Sequence, residues 1–254
     1  MTAPRTAAVT GATRGIGLAV ARRLAPTHAL VLLGRDADRL AQVAAELASE
    51  AGTPVTLAGD LADPGDLARL AGELARRPID VLVNNAGIAP AAPFERTDDA
   101  TWGRTLAVNL TAPFVLARAV LPGMRERGFG RIVQIASTAA RKGYRFTAAY
   151  AASKAGLVGW TRALAAELAG TKITANAVCP TFTATDMVAE AAAGVARRTG
   201  KSPEEATRAF ASFSPLGRLL DPREVADLVA FLASDAAGAI CGQAIAIDGG
   251  ETAG

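Results

Sequence analysis

Short apolar runs alternate along this chain with longer stretches in which apolar residues recur at helical spacing. The runs 6–10, 29–33, 55–57, 81–83, 131–135, 173–178 and 244–247 read as strands, and alanine- and leucine-rich segments such as 38–49 and 151–168 read as helices. Strand followed by helix, repeated, predicts an α/β fold of one domain over residues 1–254. The expected architecture is a Rossmann-like, doubly wound parallel sheet of about seven strands with helices on both faces. At 254 residues, half of them apolar, the chain can bury one sizeable core and leaves little room for a second. The rhythm breaks at 185–220, where two helical patterns replace a strand. Ser202-Pro203-Glu204-Glu205 reads there as a helix start with Pro in the first turn and a capping-box Glu. An insertion just after a strand's carboxyl end sits above the ligand crevice, so 185–220 is predicted to be a helical lid.

Composition narrows the partners. The 27 basic and 24 acidic residues are interspersed, giving +3 without a basic block or stripe, which argues against nucleic acid or a membrane surface. No run reads as apolar and long enough to span a bilayer, and Met1-Thr-Ala-Pro-Arg5 passes straight into the first strand with no export signal. Cys179 and Cys241 are far apart and lack Cys-x-x-Cys or Cys/His spacing, so no disulfide framework and no metal site is expected; both read as small buried hydrophobes. These features together predict a cytoplasmic protein.

The candidate chemistry begins with Gly11, Gly15 and Gly17, which follow the first strand and open the first helix. Glycines there let the chain turn tightly, bring its backbone to a pyrophosphate and pack the helix against the sheet, while the helix N-terminus offers amide donors. Nucleotide choice is set at the end of the second strand, which reads Leu33-Gly34-Arg35-Asp36. Gly34 stands where an acidic residue would hold the ribose hydroxyls, and Arg35 follows it. Arg14 in the glycine turn is placed to join Arg35 in clamping a 2′-phosphate, so NADP(H) is favoured over NAD(H). The alternatives are two solvated arginines, or Asp36 as the acidic anchor in a shifted register. Tyr150 and Lys154 lie one helical turn apart on one face, a phenol beside a cation and so a candidate proton donor, with Ser137 upstream. A half-buried Tyr beside a snorkelling Lys is the plainer account of that pair alone.

Taken in order, these motifs resemble those of the short-chain dehydrogenase/reductase family over essentially the whole chain. Thr10-Gly11-x-x-x-Gly15-x-Gly17 looks like its cofactor turn, Asp60 like its adenine-contacting acid, and Asn84-Asn85-Ala86-Gly87 like its sheet-stabilising motif. Asn109, Ser137, Tyr150 and Lys154 fall where the family keeps its catalytic tetrad. The resemblance implies that Tyr150 protonates a carbonyl oxygen as the nicotinamide delivers hydride, that Ser137 holds that oxygen, and that Lys154 lowers the Tyr150 pKa and holds the nicotinamide ribose. Asn109 would anchor a water leading from Lys154 to solvent. Ser137 and Asn109 also have local readings, as a strand-end turn residue and as a buried amide satisfied by backbone. The implied cofactor-binding set is Gly11, Thr13, Arg14, Gly15, Ile16, Gly17, Arg35, Asp60, Leu61, Asn85, Ala86, Gly87, Tyr150, Lys154, Pro180, Phe182 and Thr185.

One motif departs from the family pattern. Pro-Gly is common after the sixth strand, whereas this chain has Pro180-Thr181, which puts a side chain beside the nicotinamide and leaves the Phe182 and Thr185 contacts less defined. The resemblance is closest to 3-oxoacyl reductases acting on CoA or acyl-carrier-protein thioesters, then to polyketide ketoreductases. It implies a small ketone or acyl thioester as substrate, with an acyl carrier protein as one carrier, and a homotetramer with the Tyr150 helix at an interface. Met187, Val188, Val195, Phe210 and Phe213 of the lid are expected to cover an acyl chain, and Arg197, Arg198, Lys201 and Arg208 to meet the phosphates of its carrier. A nucleotide sensor without turnover is the alternative of another class, disfavoured because both Tyr and Lys are present.

Overall fold

The structure is a computed structural model and describes residues 4–48, 52–200 and 202–253. Seven strands, β1 (Arg5–Thr10), β2 (His28–Gly34), β3 (Val55–Ala58), β4 (Ile79–Asn84), β5 (Gly130–Ile135), β6 (Ile173–Pro180) and β7 (Ala244–Ile247), form one parallel sheet in the order β3-β2-β1-β4-β5-β6-β7. Strand order reverses between β1 and β4, and a crevice opens there at the carboxyl ends. The expected doubly wound sheet and its seven strand cores are therefore present.

The central strands are apolar on both faces, as strands covered by helices on both sides must be. One face carries α1 (Gly15–Leu24), α2 (Ala37–Glu46) and α9 (Pro222–Ala233), packed around Val9, Leu32, Val83 and Val133. The other carries α3 (Pro64–Ala75), α5 (Ala112–Arg127) and α6 (Ala148–Glu167), packed around Val31, Leu82 and Ile132. Before α5 runs α4 (Asp99–Leu106), joined to it by a π-helical turn, Ala107–Thr111. The segment expected to form a lid contains α7 (Asp186–Thr199) and α8 (Pro203–Ala211), the latter opened by the expected capping box of Ser202 and Glu205.

Three expectations need correction. The helix expected over 38–49 ends at Glu46, and Ser49 lies outside the described residues. The helical run Asp99–Arg127 is, by length and composition, apolar enough to cross a membrane, contrary to the reading that no segment qualifies. Its apolar side, including Leu116, Val120 and Met124, packs on the sheet face beside α3, which accounts for that composition. Cys179 is buried, but Cys241 is only half-buried; both are free thiols.

Candidate active site

The chain leaves β1 at Thr10 and turns through Gly11 (φ +65°) and Gly15 (φ +55°), the left-handed region in which a Cβ is strained. At Gly17 a side chain would collide with the Gly11 carbonyl and the Asn85 amide. The end of β4 braces this turn. Asn85 Nδ2 donates to Thr10 O at 2.9 Å and Gly11 O at 3.3 Å, while Thr10 Oγ1 accepts from the Asn85 and Ala86 amides, each at 2.9 Å. Helix α1, like α5 and α6, has no side-chain cap and no acid in its first turn. Its first amide donors and positive end are thus left for an anion, and a glycine cradle before an uncapped helix fits a dinucleotide pyrophosphate.

At the neighbouring corner Gly34 ends β2, and a Cβ on it would lie 3.2 Å from Thr13 Cγ2. The next side chain, Arg35, is exposed. Asp36 caps α2, accepting from the Arg39 amide at 2.9 Å, which engages the carboxylate that a shifted register would have used for ribose. The Arg14 guanidinium, expected to join Arg35 at that corner, is paired elsewhere. It reaches to α7, 3.4 Å from Asp186 and 3.3 Å from Glu190, because α7 places two carboxylates over the glycine turn. Asp60 accepts from the Ala62 amide at 2.9 Å and from Arg104 at 3.0 Å. The Ala62 hydrogen bond, followed by Arg104 and Arg35, holds its carboxyl below the usual range. Leu61 beside it is buried.

The four tetrad candidates come together across the crevice. Ser137 follows β5, Tyr150 and Lys154 occupy successive turns of α6, and Asn109 projects from the π turn, whose extra residue re-aims the side chain. Ser137 lies close enough to the Tyr150 phenol to act on its proton affinity. Lys154 Nζ donates to Ile135 O at 2.7 Å and lies 5.7 Å from the Tyr150 ring centre. A Cβ on Gly87 would stand 3.3 Å from Asn109 Oδ1 and 3.6 Å from Lys154 Nζ, so both groups converge on that glycine. The local readings hold as well. Ser137 Oγ accepts from the Ala139 amide, and Asn109 exchanges hydrogen bonds with both backbone groups of Ile88.

The electrostatics differ from expectation at Tyr150. Burial pushes its phenol above the ordinary tyrosine range, and the nearby Ser137 only opposes this. Lys154, 5.7 Å from the ring centre, is itself held down by burial to about 8 and keeps its proton at neutral pH.

Sequence reasoning missed Ser153, Thr138, Tyr144 and Glu251. Ser153 Oγ accepts from Asn109 Nδ2 at 3.0 Å and donates to Tyr150 O at 2.7 Å, locking the π turn to α6. Its place in the Tyr150–Lys154 helix was the only available signal. The Thr181 side chain, expected beside the nicotinamide, is buried and donates to Glu251. Thr185 Cγ2 would lie 3.1 Å from a Cβ on Gly15, so the strand exit after Pro180 does abut the glycine turn. In the segment expected to form a lid, Phe210 and Phe213 pack on Phe182 with ring centres 5.0 and 5.4 Å away. Val195 packs within that segment against Ala192, Ala196 and Ala206, so it is not free to cover a chain. Met187 and Phe213 are exposed, as are Arg197, Arg198 and Arg208; Lys201 lies outside the described residues.

A doubly wound parallel sheet with a glycine cradle at its switch point and a Ser–Tyr–Lys group facing it defines a dinucleotide-dependent oxidoreductase. The chain belongs to the short-chain dehydrogenase/reductase family, and a family model described as enoyl-(acyl carrier protein) reductase matches residues 11–252. It is 41% identical over 249 residues to a Streptomyces violaceoruber protein named as ketoacyl reductase 1 of the granaticin polyketide synthase, covering 96% of this chain and 92% of that one. Among solved structures, one described as an NAD(P)-dependent gluconate 5-dehydrogenase from Beutenbergia cavernae, with NADP at low occupancy, is 42% identical with a TM-score of 0.90. It aligns over 99% of this chain and 98% of its own. A single-residue variant of actinorhodin polyketide ketoreductase with NADPH is 38% identical with a TM-score of 0.91, over 99% and 98% of the two chains.

Proposed function

We propose that this protein reduces a ketone to a secondary alcohol with NADPH. The observation that carries the reading is the grouping of Ser137, Tyr150 and Lys154, with Lys154 Nζ 5.7 Å from the Tyr150 ring centre and converging with Asn109 on Gly87. The turn of Gly11, Gly15 and Gly17 would hold NADPH, which when bound would supply hydride for the carbonyl carbon. Ser137 and Tyr150 orient the carbonyl oxygen, and Tyr150 gives it a proton. Lys154 holds the nicotinamide ribose and a positive charge beside Tyr150. Asn109 Oδ1 keeps one lone pair beyond its bond to Ile88, enough to hold a water for reprotonation. Gly34 in place of an acid, with Arg35 beside it, supports NADPH over NADH, as do the NADP-containing neighbours.

The substrate class we favour is a 3-oxoacyl thioester, on CoA or an acyl carrier protein, in line with the ketoacyl and polyketide ketoreductase names among its relatives. The gluconate dehydrogenase name favours a compact hydroxy ketone as the second reading. The protein is read as a homotetramer of the cytoplasm. The half-exposed Phe114 of α5, edge-on to Trp160 of α6, supports an interface there, and the free thiols suit a reducing compartment. The test is NADPH oxidation with acetoacetyl-CoA, its N-acetylcysteamine thioester and 5-ketogluconate. Highest efficiency with a thioester supports the first reading, and reduction of 5-ketogluconate alone supports the second.

A further inference from the structure

Three loops, at the carboxyl ends of β5, β6 and β7, converge on one buried carboxylate that no step above uses. Glu251, in the chain after β7, has a side chain only 2% exposed. Its Oε1 accepts from the Tyr144 phenol at 2.6 Å and pairs with Lys142 Nζ at 2.8 Å, and its Oε2 accepts from the Thr181 hydroxyl. Tyr144 Oη lies 2.7 Å from Oγ1 of Thr138, the residue after Ser137. A carboxylate removed from water is costly unless its lone pairs are met, and here a cation and two hydroxyls meet them from two different loops. Burial, reinforced by the Glu251 hydrogen bond, pushes the Tyr144 phenol up, and its hydroxyl is already engaged with Glu251 and Thr138. Thr181 supplies the second of these hydroxyls. A glycine there could not supply this hydroxyl.

The same hub orients aromatic rings. The Tyr144 ring stands edge-on to Phe182 at 5.6 Å and to Phe213 at 6.2 Å, and Phe213 is half-exposed. We infer that Glu251 is a positioning residue that holds Tyr144, Phe182 and Phe213 as an aromatic wall, and that this wall selects ketones carrying a planar ring. Ring-to-ring contact rewards a flat unsaturated group over a flexible chain of equal carbon number, which must also be ordered on binding. The inference rests on the ketone-reducing reading above.

The test compares ethyl 4-phenyl-3-oxobutanoate with ethyl 3-oxodecanoate, whose acyl parts have equal carbon counts, under NADPH. The wild-type protein is expected to show about tenfold higher kcat/KM for the phenyl ester. Glu251→Ala and Thr181→Gly are each expected to remove most of that preference through KM for the phenyl ester, with the Kd for NADPH unchanged; Glu251→Gln, which keeps an acceptor for Tyr144, retains part of it. Circular dichroism checks folding, and Thr181→Gly decides the matter if Glu251→Ala does not fold. Equal efficiency for the two esters in the wild type, or an unchanged preference in folded Glu251→Ala or Thr181→Gly, overturns the inference and leaves ketone reduction standing. A wild-type protein that oxidises NADPH with no ketone overturns the reading itself and the inference with it.

Discussion

Tyr150 sits where it keeps its proton. Its phenol is raised by burial, and carbonyl reduction needs the protonated form whereas alcohol oxidation needs the phenolate. Reduction rates are therefore expected to stay level from about pH 6 to about pH 8 while oxidation of the product alcohol climbs with pH; initial rates in both directions check this, and an oxidation optimum near pH 6 would contradict it. Lys154 is held down at about 8 from 10.5, a burial cost of about 3 kcal/mol at neutral pH. Its unfolded form binds the extra proton between those values, so wild-type stability from this group rises with pH through that window. Lys154→Met should thus be inactive yet about 1–2 kcal/mol more stable than wild type at pH 7, the remainder offset by the lost bond to Ile135, with the gap closing by about pH 10. Thermal unfolding of the cofactor-free protein at both pH values measures it, and a less stable variant at pH 7 would refute the burial account. The pairing of Tyr150 with Lys154 was legible because helical spacing alone puts them on one face. The partner of Thr181 was not, since Glu251 is 70 residues away and meets it only when the chain after β7 folds back.

Among the elements, the cofactor cradle was readable because glycine spacing reports backbone geometry directly. The direction of Arg14 was not, because it depends on where α7 lies. Arg35, the cation left at the ribose corner, should govern nucleotide choice. Arg35→Asp is expected to shift the NADPH to NADH preference by about 10- to 100-fold, the scale of one charge-assisted hydrogen bond replaced by repulsion, as read from kcat/KM for each nucleotide. An unchanged ratio would show that the 2′-phosphate lies elsewhere. Asp186 and Glu190 of α7 hold Arg14 and place two negative charges above the phosphate cradle. Converting them to Asn and Gln should tighten NADPH about two- to fivefold, the scale of exposed ion pairs, in a nicotinamide fluorescence titration. Weaker binding would mean that the α7 contact supports the cofactor rather than opposing it. Helix ends were the least legible feature. Residues 38–49 keep the helical pattern past Glu46, and nothing in that pattern marks the stop.

For the molecule as a whole, alternating strands and helices sufficed to give the parallel doubly wound sheet, because the crossover rule leaves few other arrangements. The apolar run Asp99–Arg127 shows the limit of that reading, since composition does not distinguish a helix packed on a sheet from one crossing a bilayer. The exposed edge of Phe114 beside Trp160 predicts association through α5 and α6. Sedimentation velocity should give a tetramer at micromolar concentration and a smaller species for Phe114→Glu; a wild-type monomer would refute the interface. The account stands most directly on stopped-flow measurement of NADPH oxidation with acetoacetyl-CoA by wild type and Tyr150→Phe. It predicts turnover by the wild type, a loss of about 10³-fold or more in the variant, and an NADPH Kd within about threefold of wild type. Comparable turnover by the two proteins would contradict it.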